Sequence, residues 1–218
     1  MLSRRLAARP ERGERDERTM LGLVGAPGAG KSSVALAWLA ARGARAVVVP
    51  MDGFHLANTQ LERLGRRARK GAEDTFDSAG YVALLERLRR PHAQQVVYAP
   101  DFRREIDEAV AGAIAVGPQV ELVITEGNYL LLEHGAWAGV RGLLDQIWYI
   151  DIDPCERRRR LVARHRRFGR DAEQAEAWVR DTDEPNARLI EAGRERADLI
   201  VTPDGAVAPG KLAPPRSV

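Results

Sequence analysis

The sequence predicts a three-layer α/β domain, in which a parallel central sheet carries helices on both faces. Apolar strand-like segments alternate with helical segments along most of the chain. The first of these strands runs into a glycine-rich turn, and a helix starts directly after that turn. The 218 residues, of which 44% are hydrophobic, suffice for one such domain with a buried core.

The individual elements follow from short apolar runs and from apolar residues at helical spacing. Strands are predicted at 20–24, 45–50, 95–99, 120–125, 146–152 and 198–202. Helices are predicted at 31–41, 78–90, 153–167 and 172–193, and Asp77 or Ser78 would cap the second of them.

The two ends of the chain lack this alternation. Residues 1–18 mix arginines with acidic residues and are interpreted as a flexible N-terminal tail, while the Gly-, Ala- and Pro-rich 204–218 is interpreted as a loose C-terminal tail. The domain is expected to span 19–203. Since no apolar run approaches the ~18 residues that cross a bilayer, and the first residues lack the apolar core of a secretory signal, we expect a cytoplasmic protein without a membrane partner. The net charge of +3 does not call for nucleic acid as a partner.

Residues 25–32 read G-A-P-G-A-G-K-S and match the phosphate-binding pattern G-x-x-x-x-G-K-[ST] in full. Glycines let successive backbone N–H groups point at phosphate oxygens, and the helix that follows adds the positive end of its dipole. Lys31 is expected to bridge the β- and γ-phosphates of ATP, and the Ser32 hydroxyl to bind Mg²⁺. The predicted ATP-binding residues of this P-loop are Gly25, Ala26, Pro27, Gly28, Ala29, Gly30, Lys31, Ser32 and Ser33. The pattern predicts the P-loop NTPase fold.

The absence of other motifs limits the classes of nucleotide-binding protein to which the chain could belong. The chain has no guanine-reading N-K-x-D, no transporter-type L-S-G-G-Q, and T-E-G in place of the paired D-E of many motor ATPases. These absences count against a GTPase, a transporter ATPase and a motor ATPase, and the acceptor-side residues and the arginine-rich segment described next favour a kinase that acts on a hydroxyl. A kinase that acts on a nucleotide's phosphate, and a regulatory or chaperone-like ATPase without a small-molecule acceptor, stay as alternatives.

Polar residues follow two of the predicted strands, where a doubly wound sheet forms its ligand crevice. Asp52 comes directly after strand 45–50 and is the candidate general base, with a turn cap as its alternative role. Gly53 would permit a sharp turn there, and His55 could hydrogen-bond the substrate or be merely structural. Glu126 follows strand 120–125 and is expected near Mg²⁺, and Tyr129 could border the acceptor pocket.

An arginine-rich segment occupies 157–170. Arg160, Arg164 and Arg167 recur at spacings of four and three and therefore share one helical face. We expect this face to close over the P-loop as a lid, at about 154–171, with Arg164 catalytic and the other two touching the nucleotide. A solvated helix face is the alternative. A nucleic-acid patch is disfavoured because no aromatic residues interleave.

Several of these motifs together resemble the phosphoribulokinase/uridine kinase/pantothenate kinase superfamily. Within it the chain is most similar to the nucleoside/nucleotide kinase branch, which includes kinases tied to bacterial sugar-uptake operons. The resemblance covers about 19–203 and rests on G-A-P-G-A-G-K-S, P-M-D-G-F-H-L, R-K-G-A-E-D-T-F-D, Y-A-P-D-F and E-G-N-Y-L-L. It implies that Asp52 is the acid–base residue, that Glu126 belongs to the Mg²⁺ site, and that Asp74, Tyr98 and Arg103 border the acceptor. Dimers are common in the superfamily, so a homodimer is one expectation.

The chain departs from uridine kinases at two places. It has D-G-F-H where they carry D-S-F-Y, and Lys70-Gly71-Ala72 where they carry F-D-H. These departures count against a uridine or cytidine substrate. The expected reaction is transfer of the γ-phosphoryl of Mg·ATP to a hydroxyl of a nucleoside, a pantothenate-like compound or a sugar.

Overall fold

The computed structural model describes residues 18–90, 95–204 and 206–207. Its strands, in chain order, are β1 (Thr19–Val24), β2 (Ala46–Pro50), β3 (Val97–Arg103), β4 (Glu108–Val116), β5 (Leu122–Gly127), β6 (Gln146–Ile150) and β7 (Leu199–Val201). Five of them form a parallel sheet in the order β2-β5-β1-β6-β7. This sheet confirms the predicted fold class, and it places β1 in the centre, so that the P-loop lies at the middle of one sheet edge.

Helices cover both faces of this sheet. They are α1 (Lys31–Arg42), α2 (Asn58–Arg63), α3 (Ser78–Arg89), α4 (Val140–Leu143), α5 (Pro154–Arg167), α6 (Ala172–Trp178) and α7 (Glu184–Glu191). Side chains of β1 alternate between two hydrophobic cores, because successive residues of a strand point to opposite faces. Met20 and Val24 belong to the core beneath α3, whereas Leu21 and Leu23 pack with α1. The sequence of β1 therefore produces the three-layer arrangement directly.

Aspartate side chains cap the start of two helices, and the first of these caps was predicted. Asp77 accepts a hydrogen bond from the backbone N of Gly80 at 2.8 Å and so begins α3. Asp153 does the same for α5, and Pro154 occupies its first turn, where a missing N–H costs nothing.

The predicted strand 95–99 does not join the parallel sheet. It lies in β3, which pairs with β4 as an antiparallel hairpin of its own. The sequence analysis missed β4, because its run E-A-V-A-G-A-I-A-V is rich in Ala and Gly and lacks clear polar alternation. The hairpin turns through 104–107, where Asp107 has a left-handed backbone with φ 52°. This turn reaches the candidate site described below.

The predicted helix 172–193 is interrupted. Between α6 and α7 the chain forms a π-helical turn, Val179–Asp183, just before Pro185. Proline has no N–H to donate to the preceding turn, so a wider turn is accommodated at this point. As a result Thr182 and Asp183 face the cleft that contains the P-loop.

Most of the two predicted tails, residues 1–17 and 208–218, lies outside the described residues. Arg18, the last residue of the predicted N-terminal tail, is buried instead. Its guanidinium donates to the carbonyls of Leu88, Gly117 and Val120, at 3.2, 2.9 and 3.1 Å. At the other end Val207 bridges to Val201 beside β7. None of the helices in the described ranges has the length and apolar character of a membrane span.

Candidate active site

The P-loop curls between β1 and α1 and lies directly against α5. Gly28 and Gly30 have φ of 81° and 92°, a left-handed conformation that glycine adopts without strain. A Cβ on Gly28 would stand 2.8 Å from Cγ of Leu161 and 3.2 Å from the Arg157 carbonyl oxygen. Glycine is therefore required at this position both for the turn and for the close approach of α5.

Lys31 points into the loop that precedes it. Its ammonium donates to the carbonyl oxygens of Gly25 and Ala26, at 2.8 and 3.2 Å, and to Oδ1 of Asn128 at 2.7 Å. Burial lowers the pKa of Lys31, while the charges of Glu126 and Asp52 oppose that shift. The sequence analysis missed Asn128. Its position two residues beyond Glu126, at the end of the strand beside β1, was the available signal.

Ser32, in the first turn of α1, and Glu126, at the C-terminal end of β5, form an oxygen pair. The Ser32 hydroxyl donates to Oε1 of Glu126 at 2.8 Å. Burial, and then the charge of Asp52, raise the pKa of the Glu126 carboxyl. A buried carboxylate next to a second carboxylate is stabilised by a cation, and hydroxyl and carboxylate oxygens suit Mg²⁺. No group of three or more His, Cys, Asp or Glu side chains forms a metal cage within the described ranges, so most Mg²⁺ ligands would be phosphate oxygens and water.

Asp52 lies in a short 3₁₀ turn, Met51–Phe54, directly after β2. Its carboxylate faces the same cleft as Lys31 and Glu126, and the guanidinium of Arg104 is 3.6 Å from its Oδ2. The expected role of Gly53 needs a correction, because its backbone is not left-handed. A Cβ on Gly53 would stand 2.5 Å from the Pro100 carbonyl oxygen, so glycine is needed for the close approach of the β3–β4 hairpin.

His55 is held between two aromatic rings. Its ring centroid is 4.0 Å from that of Phe76 and 4.6 Å from that of Phe102. Burial lowers the pKa of His55, which favours the neutral ring. Since Nδ1 lies 2.8 Å from the carbonyl oxygen of Asp52, Nδ1 must carry the proton. Nε2 is then a hydrogen-bond acceptor on a residue that lines the cleft.

The cleft has a volume of about 700 Å³. It brings together eleven of the predicted site residues: Pro27, Gly28, Gly30, Lys31, Ser32, Ser33, Asp52, His55, Glu126, Arg160 and Arg164. Gly25, Ala26 and Ala29 complete the P-loop beneath it.

Besides these three P-loop residues, five predicted residues lie outside this lining. Tyr98 is 59% exposed on β3, and Tyr129 is fully buried, with its hydroxyl donating to the Gly71 carbonyl oxygen at 2.5 Å. Asp74 pairs with arginines of the nearby turn, including Arg66 at 3.4 Å. Arg103 points to Asp101 at 3.6 Å, and Arg167 is exposed on α5. Tyr129 thus supports the cleft from below rather than bordering it.

Basic residues that the sequence analysis did not assign line the cleft in their place. Arg67, Lys70 and Arg104 face it from the 3₁₀ turn after α2 and from the β3–β4 turn. Lys70 donates to Oδ1 of Asn58 at 2.7 Å and lies 3.2 Å from Oδ2 of Asp107. Arg67 lies 3.0 Å from the same Asp107 oxygen. The departure of Lys70 from the uridine kinase pattern was a signal of this difference.

The arginines of α5 have different partners. Arg164 is half-buried at the cleft, and its guanidinium donates a hydrogen bond to none of the described residues. Burial lowers its pKa. Arg160 lines the cleft and donates to Oε1 of Glu156 at 2.7 Å. Arg157 is buried and donates to Glu184 at 2.6 Å, so it fastens α5 to α7. The shared face of Arg160 and Arg164 is present, and Arg167 lies beyond it.

A polar cluster ties the end of α5 to the π-helical turn. Nε2 of His165 lies 2.7 Å from Oδ2 of Asp183, and Nδ1 lies 2.8 Å from the guanidinium of Arg170. Because a guanidinium only donates, Nδ1 of His165 accepts the hydrogen bond from Arg170. Nε2 therefore carries the ring proton and donates a hydrogen bond to Asp183. Arg170 in turn lies 4.0 Å above the ring of Trp178. The cluster fixes the orientation of this wall of the cleft.

A second recess, of about 550 Å³, lies on the other side of Arg160. Asp151, Ile152 and Asp153 line it from the end of β6, and Thr202, Pro203 and Asp204 from beyond β7. A Cβ on Gly30 would lie 3.7 Å from both Arg160 and Pro203, so the recess adjoins the P-loop.

Several known proteins are similar to this chain in sequence and in fold. A candidate uridine kinase of Schizosaccharomyces pombe is 34% identical over 196 residues, which cover 85% of this chain and 83% of that protein. The crystal structure of a candidate fructose transport system kinase from Silicibacter sp. TM1040 is 39% identical, with a TM-score of 0.82 over 91% of this chain and 96% of that one. No family model matches the sequence.

The chain belongs to the P-loop kinase superfamily of the uridine kinases and phosphoribulokinase. The phosphoribulokinase from Rhodobacter spheroides, at 12% identity and a TM-score of 0.54 over 86% of this chain and 71% of that one, shares the fold alone. Membership in this kinase superfamily supports ATP as the phosphoryl donor and a phosphotransferase activity.

Proposed function

We propose that the protein transfers the γ-phosphoryl group of ATP to a hydroxyl group of a small molecule. The observation that carries this proposal is the convergence of Asp52 with Lys31, Ser32 and Glu126 in one cleft. Binding of Mg·ATP by a P-loop requires only a lysine, a hydroxyl and a metal-site carboxylate, the groups that Lys31, Ser32 and Glu126 provide. A carboxylate that follows β2 and faces the same space supplies the base that an alcohol acceptor needs.

The proposed reaction is an in-line displacement. The acceptor oxygen forms a bond to the γ-phosphorus, the bond from that phosphorus to the bridging oxygen of ADP breaks, and ADP leaves. The proton of the attacking hydroxyl passes to the Asp52 carboxylate. His55 supports this geometry, because its Nδ1–H holds the carbonyl oxygen of Asp52 at 2.8 Å.

The donor end would be held by the P-loop. Lys31 would exchange its loop carbonyl partners for phosphate oxygens, and Asn128 would keep the ammonium in place from the side. Ser32 and Glu126 would hold Mg²⁺, directly and through a water molecule. When bound, Mg²⁺ would neutralise phosphate charge and orient the β- and γ-phosphates. The adenosine would occupy the recess of Asp151 and Pro203, which adjoins the loop.

The arginine face of α5 would act as the lid. Arg164 is half-buried at the cleft, where it would neutralise charge on the phosphoryl group in transfer. Arg160 lies between the cleft and the second recess, where it would contact the nucleotide. A lid that excludes water would limit wasteful hydrolysis of ATP.

The test is ADP release in the presence of hydroxyl compounds, measured with Asp52→Asn beside the unmodified protein. Loss of the base should lower acceptor-dependent turnover by about 10²- to 10⁴-fold, with nucleotide binding retained. The matched control is Asp181→Asn, since Asp181 is exposed on the π-helical turn and pairs only with Arg180 among the described residues.

Three results would contradict the proposal. Full acceptor-dependent turnover by Asp52→Asn would show that Asp52 is not the base. ATP hydrolysis that no hydroxyl compound stimulates would favour an ATPase without a small-molecule acceptor, and phosphorylation of nucleoside monophosphates on their phosphate would favour a nucleotide kinase.

A further inference from the structure

Three cations surround the acceptor end of the cleft. Arg67 and Lys70 come from the segment after α2, and Arg104 comes from the β3–β4 turn. Their carboxylate neighbours at this end are Asp52 and Asp107. A neutral sugar or nucleoside needs no such concentration of positive charge, and placing cations together without a ligand costs electrostatic free energy.

The carboxylates do not fully neutralise these cations. Asp107 is shared, since Arg67 and Lys70 stand 3.0 and 3.2 Å from the same oxygen. The guanidinium of Arg104 lies 3.6 Å from Asp52, beyond hydrogen-bond distance, and it donates a hydrogen bond to none of the described residues. Its guanidinium therefore has donors available in the cleft.

The proposed reaction itself removes the counter-charge of Arg104. When Asp52 takes the proton of the acceptor hydroxyl, it becomes neutral and Arg104 loses its carboxylate neighbour. An anionic group on the acceptor would keep that guanidinium paired throughout the transfer. Guanidinium groups bind carboxylates and phosphates in a two-pronged geometry that suits this role.

We propose that the acceptor is a small hydroxylated anion, a hydroxy acid or a sugar phosphate, whose carboxylate or phosphate binds Arg104 in the positive field of Arg67 and Lys70. This inference rests on the proposed function and names its substrate class. The reacting hydroxyl donates its hydrogen bond to Asp52, so Nε2 of His55, which is an acceptor, would take a hydrogen bond from a second hydroxyl of the same molecule. Since a hydrogen bond spans about 2.8 Å and Arg104 is close to Asp52, the anionic group lies within a few bonds of the reacting hydroxyl.

Matched acceptor pairs that differ in their charge provide the test. We would measure kcat/KM by ADP release for glycerate against glycerol and for pantothenate against pantothenol. The phosphates of fructose and ribose would be compared with the free sugars, and uridine would serve as a further neutral acceptor. Each compound would be tested with the unmodified protein, Arg104→Gln, Arg104→Lys and the surface control Arg87→Gln, which is exposed on α3. The carboxylate and phosphate pairs separate the two sources of negative charge.

The expected result is a preference for the anionic member of a pair. Arg104→Gln should lower kcat/KM for that member by about ten- to a hundredfold, the effect of a charge-assisted hydrogen bond, mainly through KM. The neutral member should change little, Arg104→Lys should retain part of the preference, and Arg87→Gln should keep all of it.

Three outcomes would overturn the inference. A neutral member used as well as its anionic partner would leave the proposed function intact and refute the substrate class alone. An equal loss for both members in Arg104→Gln, with a raised KM for ATP, would assign Arg104 to the transferred phosphoryl group. ADP release that no compound of the panel stimulates, in a protein that binds Mg·ATP, would refute the proposed function and this inference with it.

Discussion

The two ends of the cleft are built in different ways. The donor end is one continuous segment, 25–33, whose backbone is curled by glycines and whose lysine is buried and hydrogen-bonded on three sides. The acceptor end is assembled from separate parts of the chain: the turn after β2, the segment after α2, the β3–β4 turn and the π-helical turn. Its arginines are partly exposed and paired through single carboxylates.

The difference separates what is common to the superfamily from what is particular to this chain. A local, backbone-made site binds the triphosphate group in the same way whatever the acceptor is. An acceptor site made of side chains from distant elements can change by single substitutions, without loss of the fold. The departures from uridine kinases, at Gly53 and at 70–72, both belong to the acceptor end.

The largest expected effect distinguishes the two lysines of the cleft. Lys31→Met should lower turnover by about a thousandfold or more, because the ammonium that meets the β- and γ-phosphates is lost. Lys70→Met should raise the KM of the acceptor and leave the affinity for nucleotide nearly unchanged. Nucleotide binding by calorimetry and turnover by ADP release measure the two effects. Equal weakening of nucleotide binding by both variants would refute the division of the cleft into two ends.

Glu126→Gln should have the next largest effect, which is a lower apparent affinity for Mg²⁺. We expect the Mg²⁺ concentration for half-maximal activity to rise by about ten- to a hundredfold, with full activity regained at high Mg²⁺. An activity loss that no Mg²⁺ concentration restores would contradict this role of the carboxylate.

The same variant makes a prediction about pH. Because the folded-state pKa of Glu126 is raised by burial and by Asp52, ionisation of Glu126 opposes folding. This destabilisation is absent below the ordinary pKa of a glutamate, about 4.3, grows as the pH rises from there to the raised pKa, and stays constant above it. Without Mg²⁺ and nucleotide, Glu126→Gln should therefore become more stable than the unmodified protein as the pH rises toward neutral. Thermal unfolding across this pH range tests the sign, and a constant difference would contradict it.

Gly53→Ser should have the smallest effect of these variants, and that effect should be confined to the acceptor end. The new Cβ would stand 2.5 Å from the Pro100 carbonyl oxygen, so the β3–β4 hairpin must shift and carry Arg104 with it. We expect the acceptor KM to rise about tenfold and the free energy of unfolding to fall by about 1–3 kcal/mol. Gly142→Ser, on open surface in α4, is the matched control. An unchanged acceptor KM would indicate that the hairpin moves without consequence for the site.

The sequence predicted the donor end residue by residue, because its function depends on adjacent backbone groups. It predicted the acceptor end in outline only. Arg103 was the candidate from the resemblance, yet its neighbour Arg104 faces the cleft. Consecutive residues at the end of a strand point in different directions, so an offset of one residue changes which side chain reaches the site. Tyr98 and Asp74 also have surface positions that their motif did not reveal.

The sequence by itself determined the parallel sheet, the P-loop at the end of β1, the candidate base after β2 and the arginine face of α5. Each of these depends on local periodicity or on a contiguous motif. Only the tertiary structure decided that the β3–β4 hairpin stands apart from the sheet, that Asn128 holds Lys31, and that Arg67, Lys70 and Arg104 meet at the acceptor end. Those contacts join residues far apart in the chain, and their free energy depends on packing, such as the close approach of Gly53 to Pro100, that no single segment specifies.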